Sequence, residues 1–206
     1  GNGQKEIMAE QEKRQLSDTQ LIELYKAGKT NEAFRLIVQK YKERLYWLVR
    51  GMCNSHQDTD DILQNTFIKV WRFLPGFRGE SQLYTWLYRI AANEAVTFLN
   101  KKRIVSLFTI SSGSNNSSDK SYNNSYNNSH EPVADEATFS GNAIQAALHR
   151  EILRLPPKQR AIFNLRYFQE TKFSDIAAIM GRSEGAVKAS YHLAYTKIKE
   201  KLLEEF

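Results

Sequence analysis

The chain is poor in everything that would tie it together covalently or anchor a reaction. It has one cysteine, Cys53, in 206 residues. That excludes an intramolecular disulfide and points to a reducing, cytoplasmic setting. Its four histidines, at positions 56, 130, 149 and 192, are scattered. Cys53-x-x-His56 offers two of the four ligands a structural zinc requires, so neither a metal nor another cofactor is expected. No phosphate-binding loop or nucleophile elbow is present. The paired acids Asp60 and Asp61 are adjacent and diverge on a helix, so no catalytic residue is assigned and the chain reads as a non-enzyme. No apolar run is long enough to span a bilayer, which excludes membrane insertion. No signal peptide is visible, and the polar start Gly1-Asn2-Gly3 lacks an initiator Met, so residues 1–16 read as a disordered or cloning-derived N-terminus. Strand-like alternation is absent, and the expected class is all-α.

What is present is a packable fraction of hydrophobic residues, 41%, and an uneven charge. Residues 22–103 carry 14 basic and 8 acidic side chains, and residues 143–206 carry 11 and 7. Between them, residues 104–142 carry 1 and 4. Two basic blocks around an acidic spacer suit two modules touching one polyanion, although two ordinary basic domains share the pattern. The spacer's centre, Ser111–His130, is Ser or Asn at 14 of 20 positions. Without aliphatic residues it cannot offset its ordering entropy, which predicts a flexible linker over 104–142. The expected organisation is two small helical domains, 17–103 and 143–206, joined by that linker.

In the first block, Ser17-Asp18 is a candidate N-cap before a helix over 17–27. Phe34, Ile37, Val38, Tyr41, Leu45, Leu48 and Val49 recur at steps of three and four, predicting a helix over 30–53. A third helix over 58–74 carries Leu63, Phe67, Val70, Trp71 and Leu74 inward, and Pro75-Gly76 stops it. Ser81 is a candidate cap for a fourth, with Leu83, Trp86, Leu87, Ile90 and Ala91 in the core. In the second block Pro156-Pro157 presets a helix start. Phe173, Ile176, Ala177 and Met180 predict a short helix, Gly181 a reversal, and Ser183 the cap of a long last helix. Val187, Tyr191, Ala194 and Ile198 turn that helix inward. Gly185, Lys188, Ala189, His192 and Thr196 lie opposite, with Arg182 just before the helix. Short helix, turn and long helix together resemble a helix-turn-helix, whose small and donor side chains fit a major groove. A merely solvated face is the competing reading.

Asp61, Asn65 and Arg72 lie off the apolar stripe of the third helix, near Gln64 and Lys69, and form a polar face fit for a partner or for solvent. Downstream, aromatic and basic residues interleave through Phe77, Arg78, Tyr84, Trp86, Tyr88 and Arg89, and on to Lys101-Lys102-Arg103. Single-stranded nucleic acid is held by such stacking and phosphate contacts.

The stretches DTDDILQNTFIKVWRFL (58–74), FRGESQLYTWLYRIAAN (77–93), LPPKQRAIFNLRYFQ (155–169) and FSDIAAIMGRSEGAVKASYHLAYTKIKEKL (173–202) resemble, in order, the extracytoplasmic-function class of bacterial sigma factors. The resemblance implies a sigma region 2-like domain over 17–103 and a region 4-like domain over 143–206. It implies that Asp60, Asp61, Gln64 and Asn65 dock on the clamp helices of the largest subunit of RNA polymerase, and that the C-terminal domain meets the flap. It implies that Phe77, Arg78, Gly79, Glu80, Ser81, Tyr84 and Arg89 bind the −10 element as a melted strand, with Lys101, Lys102 and Arg103 on the backbone nearby. Arg182, Ser183, Glu184, Lys188 and His192 would contact the −35 duplex. An anti-sigma factor is an implied partner. The family pattern NxxxDxxR after Asn93 is broken here, with Thr97 and Asn100 in place of the Asp and Arg. A stand-alone helix-turn-helix regulator is the alternative, although it leaves the aromatic-basic segment without a task. A 39-residue linker spans roughly 31–37 Å at random and on the order of 130 Å when extended. Two DNA elements about two turns apart lie roughly 70 Å from each other, so a stretched linker reaches.

Overall fold

The computed structural model describes residues 16–111 and 143–206, with side chains placed from 16 to 108 and from 143 onward. The expected N-terminal leader and most of the expected linker lie outside these residues. Eight α-helices are described: α1 (Asp18–Lys26), α2 (Thr30–Met52), α3 (His56–Phe73), α4 (Leu83–Ser111), α5 (Ala143–Arg154), α6 (Pro157–Tyr167), α7 (Phe173–Met180) and α8 (Glu184–Glu205). No strand occurs among the described residues. The all-α expectation holds, as does the division into two helical groups around the spacer.

The helix ends follow local chemistry. Ser17 caps α1 in a reciprocal capping box with Gln20. Ser55 accepts from the Asp58 N–H to start α3, and Ser183 accepts from Ala186 to start α8. Pro157 occupies the first turn of α6, where its missing N–H costs nothing. Gly181 closes α7 in the left-handed region at φ 62°, a conformation other residue types adopt only under strain. The short 3-10 turn Leu74–Gly76 ends α3 where Pro75-Gly76 predicts a stop. Ser81 is not a cap, because α4 begins at Leu83 and Gln82 is the residue before it.

Two features differ from the sequence expectation. On α3 the fully buried residues are Thr59, Ile62, Thr66 and Val70. Trp71 is instead 46% exposed and packs edge-on against Phe34 at 5.0 Å. The stripe rotates because both threonine hydroxyls donate to carbonyls one turn back, Thr59 to Ser55 and Thr66 to Ile62. A threonine satisfied in this way enters a core cheaply. At the far end, α4 continues to Ser111 through residues assigned to the linker. Residues 104–108 contain no Gly or Pro, and the helix carries on with Ile104, Val105, Leu107 and Phe108 exposed.

The two groups share a core. Leu36, Leu45, Leu48, Leu87 and Ala91 of the first group cluster with Ala161, Ile162, Leu165, Ile176 and Ile179 of the second. A smaller cluster of Ile152, Leu155, Phe163, Ala194 and Ile198 holds α5, α6 and α8 together. Arg160, 4% exposed, clasps both. It donates to the Met52 carbonyl at 2.6 Å and the Leu155 carbonyl at 3.0 Å, and also to the Leu153 carbonyl. A buried guanidinium is tolerable when several carbonyls receive its donors.

Candidate functional site

The polar face of α3 is a continuous solvent-facing strip. Asp60, Asp61, Gln64 and Asn65 are all exposed. The strip does not end there: Ile68 is 57% exposed one turn on, and Trp71 and Phe73 follow at the same end. Sequence reading assigned Trp71 to the core and passed over Ile68 and Phe73. The missed signal was the pair of buried threonines that rotates the helix. A strip acidic at one end and apolar at the other is suited to a protein surface rather than to a polyanion.

The aromatic-basic segment divides into two clusters. Arg78, Gly79 and Glu80 are exposed in the loop before α4, beside the partly covered Ser81. Gly79 sits at φ 76° with open space where a side chain would begin. Phe77 packs on Trp86 at 5.1 Å, and Tyr84 meets Tyr88 edge-on at 5.2 Å. Tyr84 lies near Asp175 of α7, and burial together with the charge of that carboxylate raises its pKa. Arg89 donates to the Ala178 carbonyl of α7 at 2.5 Å. Arg89 is therefore engaged by the second helical group and Tyr84 lies near it, whereas Arg78–Glu80 are exposed to solvent.

The second cluster, Lys101–Arg103, begins about 18 Å further along the axis from Arg89, at 1.5 Å per residue. Lys101 and Arg103 are exposed. Lys102 instead pairs with Asp58 at 2.7 Å, tying α4 to the start of α3. Asn93, Thr97, Asn100 and Lys101 are exposed at helical spacing along α4. The positions where the family pattern is broken thus share an outward face with a cation.

In the second group, α7, Gly181 and α8 form the helix-turn-helix. Arg182, Ser183, Glu184, Lys188 and His192 are exposed in one stretch. Lys188 pairs with Glu184 at 2.8 Å, one turn apart, and its ammonium lies 5.9 Å from the Phe173 ring centre. His192 lies 6.3 Å from the same ring. Arg166 sits over that ring's face at 4.9 Å. The outward face of α8 thus rests on an aromatic base formed by Phe173 and Tyr191. Among the described residues, no group of three or more His, Cys, Asp or Glu could hold a metal ion. No described helix is long and apolar enough to cross a membrane.

Where the groups meet, a cleft of about 820 Å³ opens, lined by Arg44, Trp47, Tyr84, Tyr88, Asn164 and Lys172 among others. Asn164 is 2% exposed, and among the described residues neither its amide oxygen nor its nitrogen has a hydrogen-bond partner.

Comparison with known proteins matches both groups in chain order. Sigma-70 region 2 matches residues 37–104, and sigma-70 region 4 matches residues 145–198. The chain is 31% identical over 189 residues to the RNA polymerase sigma-H factor of Pseudomonas aeruginosa, covering 91% of this chain and 95% of that one. It is 31% identical over 188 residues to the ECF RNA polymerase sigma-E factor of Escherichia coli K12, with 91% and 95% covered. Its fold is similar to that of CnrH, solved in complex with the cytosolic domain of CnrY. There the TM-score is 0.63 at 20% identity, covering 92% of this chain and 99% of that one. It is also similar to the sigma factor RpoE of Bartonella quintana, solved in complex with the anti-sigma factor NepR. That match has a TM-score of 0.59 at 22% identity, covering 82% and 96%.

Proposed function

The chain belongs to the extracytoplasmic-function class of RNA polymerase sigma factors, and on that premise we propose how its surfaces divide promoter-specific initiation between them. The exposed strip Asp60, Asp61, Gln64 and Asn65, extended by Ile68 and Trp71, docks on the clamp helices of the largest polymerase subunit, and the C-terminal group meets the flap. The loop Arg78–Ser81 captures the −10 element as a melted strand, with Phe77, Tyr84 and Arg89 beside it. An unpaired base must leave the stack before its edge can be read, and an open loop before an aromatic helix gives it room. Lys101 and Arg103 hold the backbone, and Lys102 does so only after releasing Asp58. Arg182, Ser183, Glu184, Lys188 and His192 contact the −35 duplex. The chain works in the cytoplasm, where an anti-sigma factor withholds it from polymerase.

One observation carries this reading. The same chain carries the exposed loop Arg78–Glu80 leading into the aromatic start of α4 and the exposed Arg182, Lys188 and His192 of a helix-turn-helix, which supports strand binding by the first and duplex binding by the second. A stand-alone regulator uses the second and has no task for the first.

The closed arrangement adds a step. Arg89 bonds α7 and Tyr84 faces the same cleft as its Asp175, so strand capture requires the second group to leave α4. The two elements lie roughly 70 Å apart at about 34–36 Å per turn, and the 31 residues between Ser111 and Ala143 extend to about 105 Å. The covalent connection permits that separation.

The test is in vitro transcription with core polymerase. The chain is expected to direct initiation only with core present, and Lys188→Ala and His192→Ala to lose dependence on the −35 element while keeping core affinity. Equal transcription from core alone would overturn the reading. Loss of core binding in either variant would overturn the assignment of α8.

A further inference from the structure

The outward face of α8 is less polar than a helix made only to grip phosphate. Leu193 leaves 68% of its surface in solvent, while Val187, Ala194 and Ile198 of the same helix are buried. At 100° per residue those three centre on the direction opposite Thr196, with Ala189 about 20° from it, so these two mark the middle of the exposed arc. Leu193 stands about 60° to one side of that middle and His192 about 40° to the other, so both lie on the outward half of the helix. Gly185, Ala186 and Ala189 are also exposed there, and none is large enough to hold the helix off a surface it enters. Leu203, the other exposed leucine of α8, lies about 15 Å further along the axis, beyond a groove that receives the helix's first turns.

A branched apolar side chain gains nothing from phosphate and cannot pair with a base donor or acceptor. The major-groove edge of a base pair carries one apolar group, the C5-methyl of thymine. Lys188 and His192 on one flank, and Lys197 on the other, supply the polar and phosphate contacts that set the register.

We propose that Leu193 is a specificity-determining residue that reads the C5-methyl group of one thymine in the −35 duplex. The inference rests on the assignment of α8 to that element. Thymine against cytosine at this position is then decided by apolar contact, and the neighbouring pairs by Lys188 and His192.

The test starts with reconstituted holoenzyme selecting from promoter duplexes randomised through the −35 region. The wild-type chain is expected to prefer thymine at one position, and Leu193→Ala to lose that preference alone. Replacing this thymine by uracil removes only the methyl group. The swap should weaken wild-type binding about fourfold, the value of one buried methyl, and leave Leu193→Ala unchanged. An unaffected wild type, a variant that keeps the thymine preference, or a variant that loses preference at every position would each overturn the proposal. So would loss of core affinity, which would make Leu193 a polymerase contact. If the wild type selects no −35 sequence at all, the assignment of α8 fails, and that result is in hand before any variant is compared.

Discussion

His149 shows how one side chain binds the fold to pH. It sits 8% exposed on α5. Burial, reinforced by the Arg50 and Arg160 guanidiniums, pushes its pKa down to about 4, from an ordinary value near 6.5. Between those values the unfolded chain takes up a proton that the folded chain refuses. Stability is therefore complete above about pH 6.5 and declines as the pH falls toward 4, by on the order of 3 kcal/mol over the window. Urea unfolding at pH 7 and pH 4.5 checks this, with His149→Gln expected to remove most of the difference. A variant that keeps the full decline would place the titrating group elsewhere. Burial likewise pushes the Cys53 thiol up to about 12. The lone cysteine is thus a core residue held in its protonated form, as its position at the end of α2 requires.

At the scale of the element, the sequence foretold most helices because their ends are chemically marked. Ser17, Pro157, Gly181 and Ser183 each act through their own backbone neighbours, so their effect is visible within a few residues of sequence. Gly181 offers a direct test. It lies at φ 62° with open space around the missing Cβ, so Gly181→Ala meets backbone strain and no clash. The expected cost is about 1 kcal/mol, measured as a lower denaturant midpoint with an unchanged slope. What the sequence concealed depends on partners far along the chain. The Lys102–Asp58 pair spans 44 residues and the Arg89–Ala178 bond 89. No periodicity announces either of them, and both occupy residues whose type alone suggested free nucleic-acid contacts. The rotated stripe on α3 was hidden for a different reason. Threonine counts as polar until its hydroxyl finds a carbonyl one turn back, and the apolar pattern alone then selects Trp71 wrongly.

Across the whole molecule, the two helical groups are joined by an interface that mixes strong and poor contacts. Arg160 and the shared core hold it shut. The cleft and the unpartnered Asn164 amide work against closure, since a buried amide without partners costs about 1–3 kcal/mol. Such an interface can open when polymerase and DNA offer better contacts, and its balance should be adjustable in both directions. Asp175 faces the same cleft as Tyr84 across the interface but belongs to neither proposed DNA surface. Asp175→Ala removes that neighbour from the interface and should raise the apparent affinity for core polymerase, because more of the free chain is then open. Asn164→Leu replaces the orphaned amide with an apolar side chain in the same closed interface. It should raise the melting temperature and lower core affinity. Opposite shifts in the two variants, read by competition for fluorescently labelled core, are the signature of a closed state that opens before binding. Shifts in the same direction, or none, would mean that polymerase binds the chain with its two groups still together.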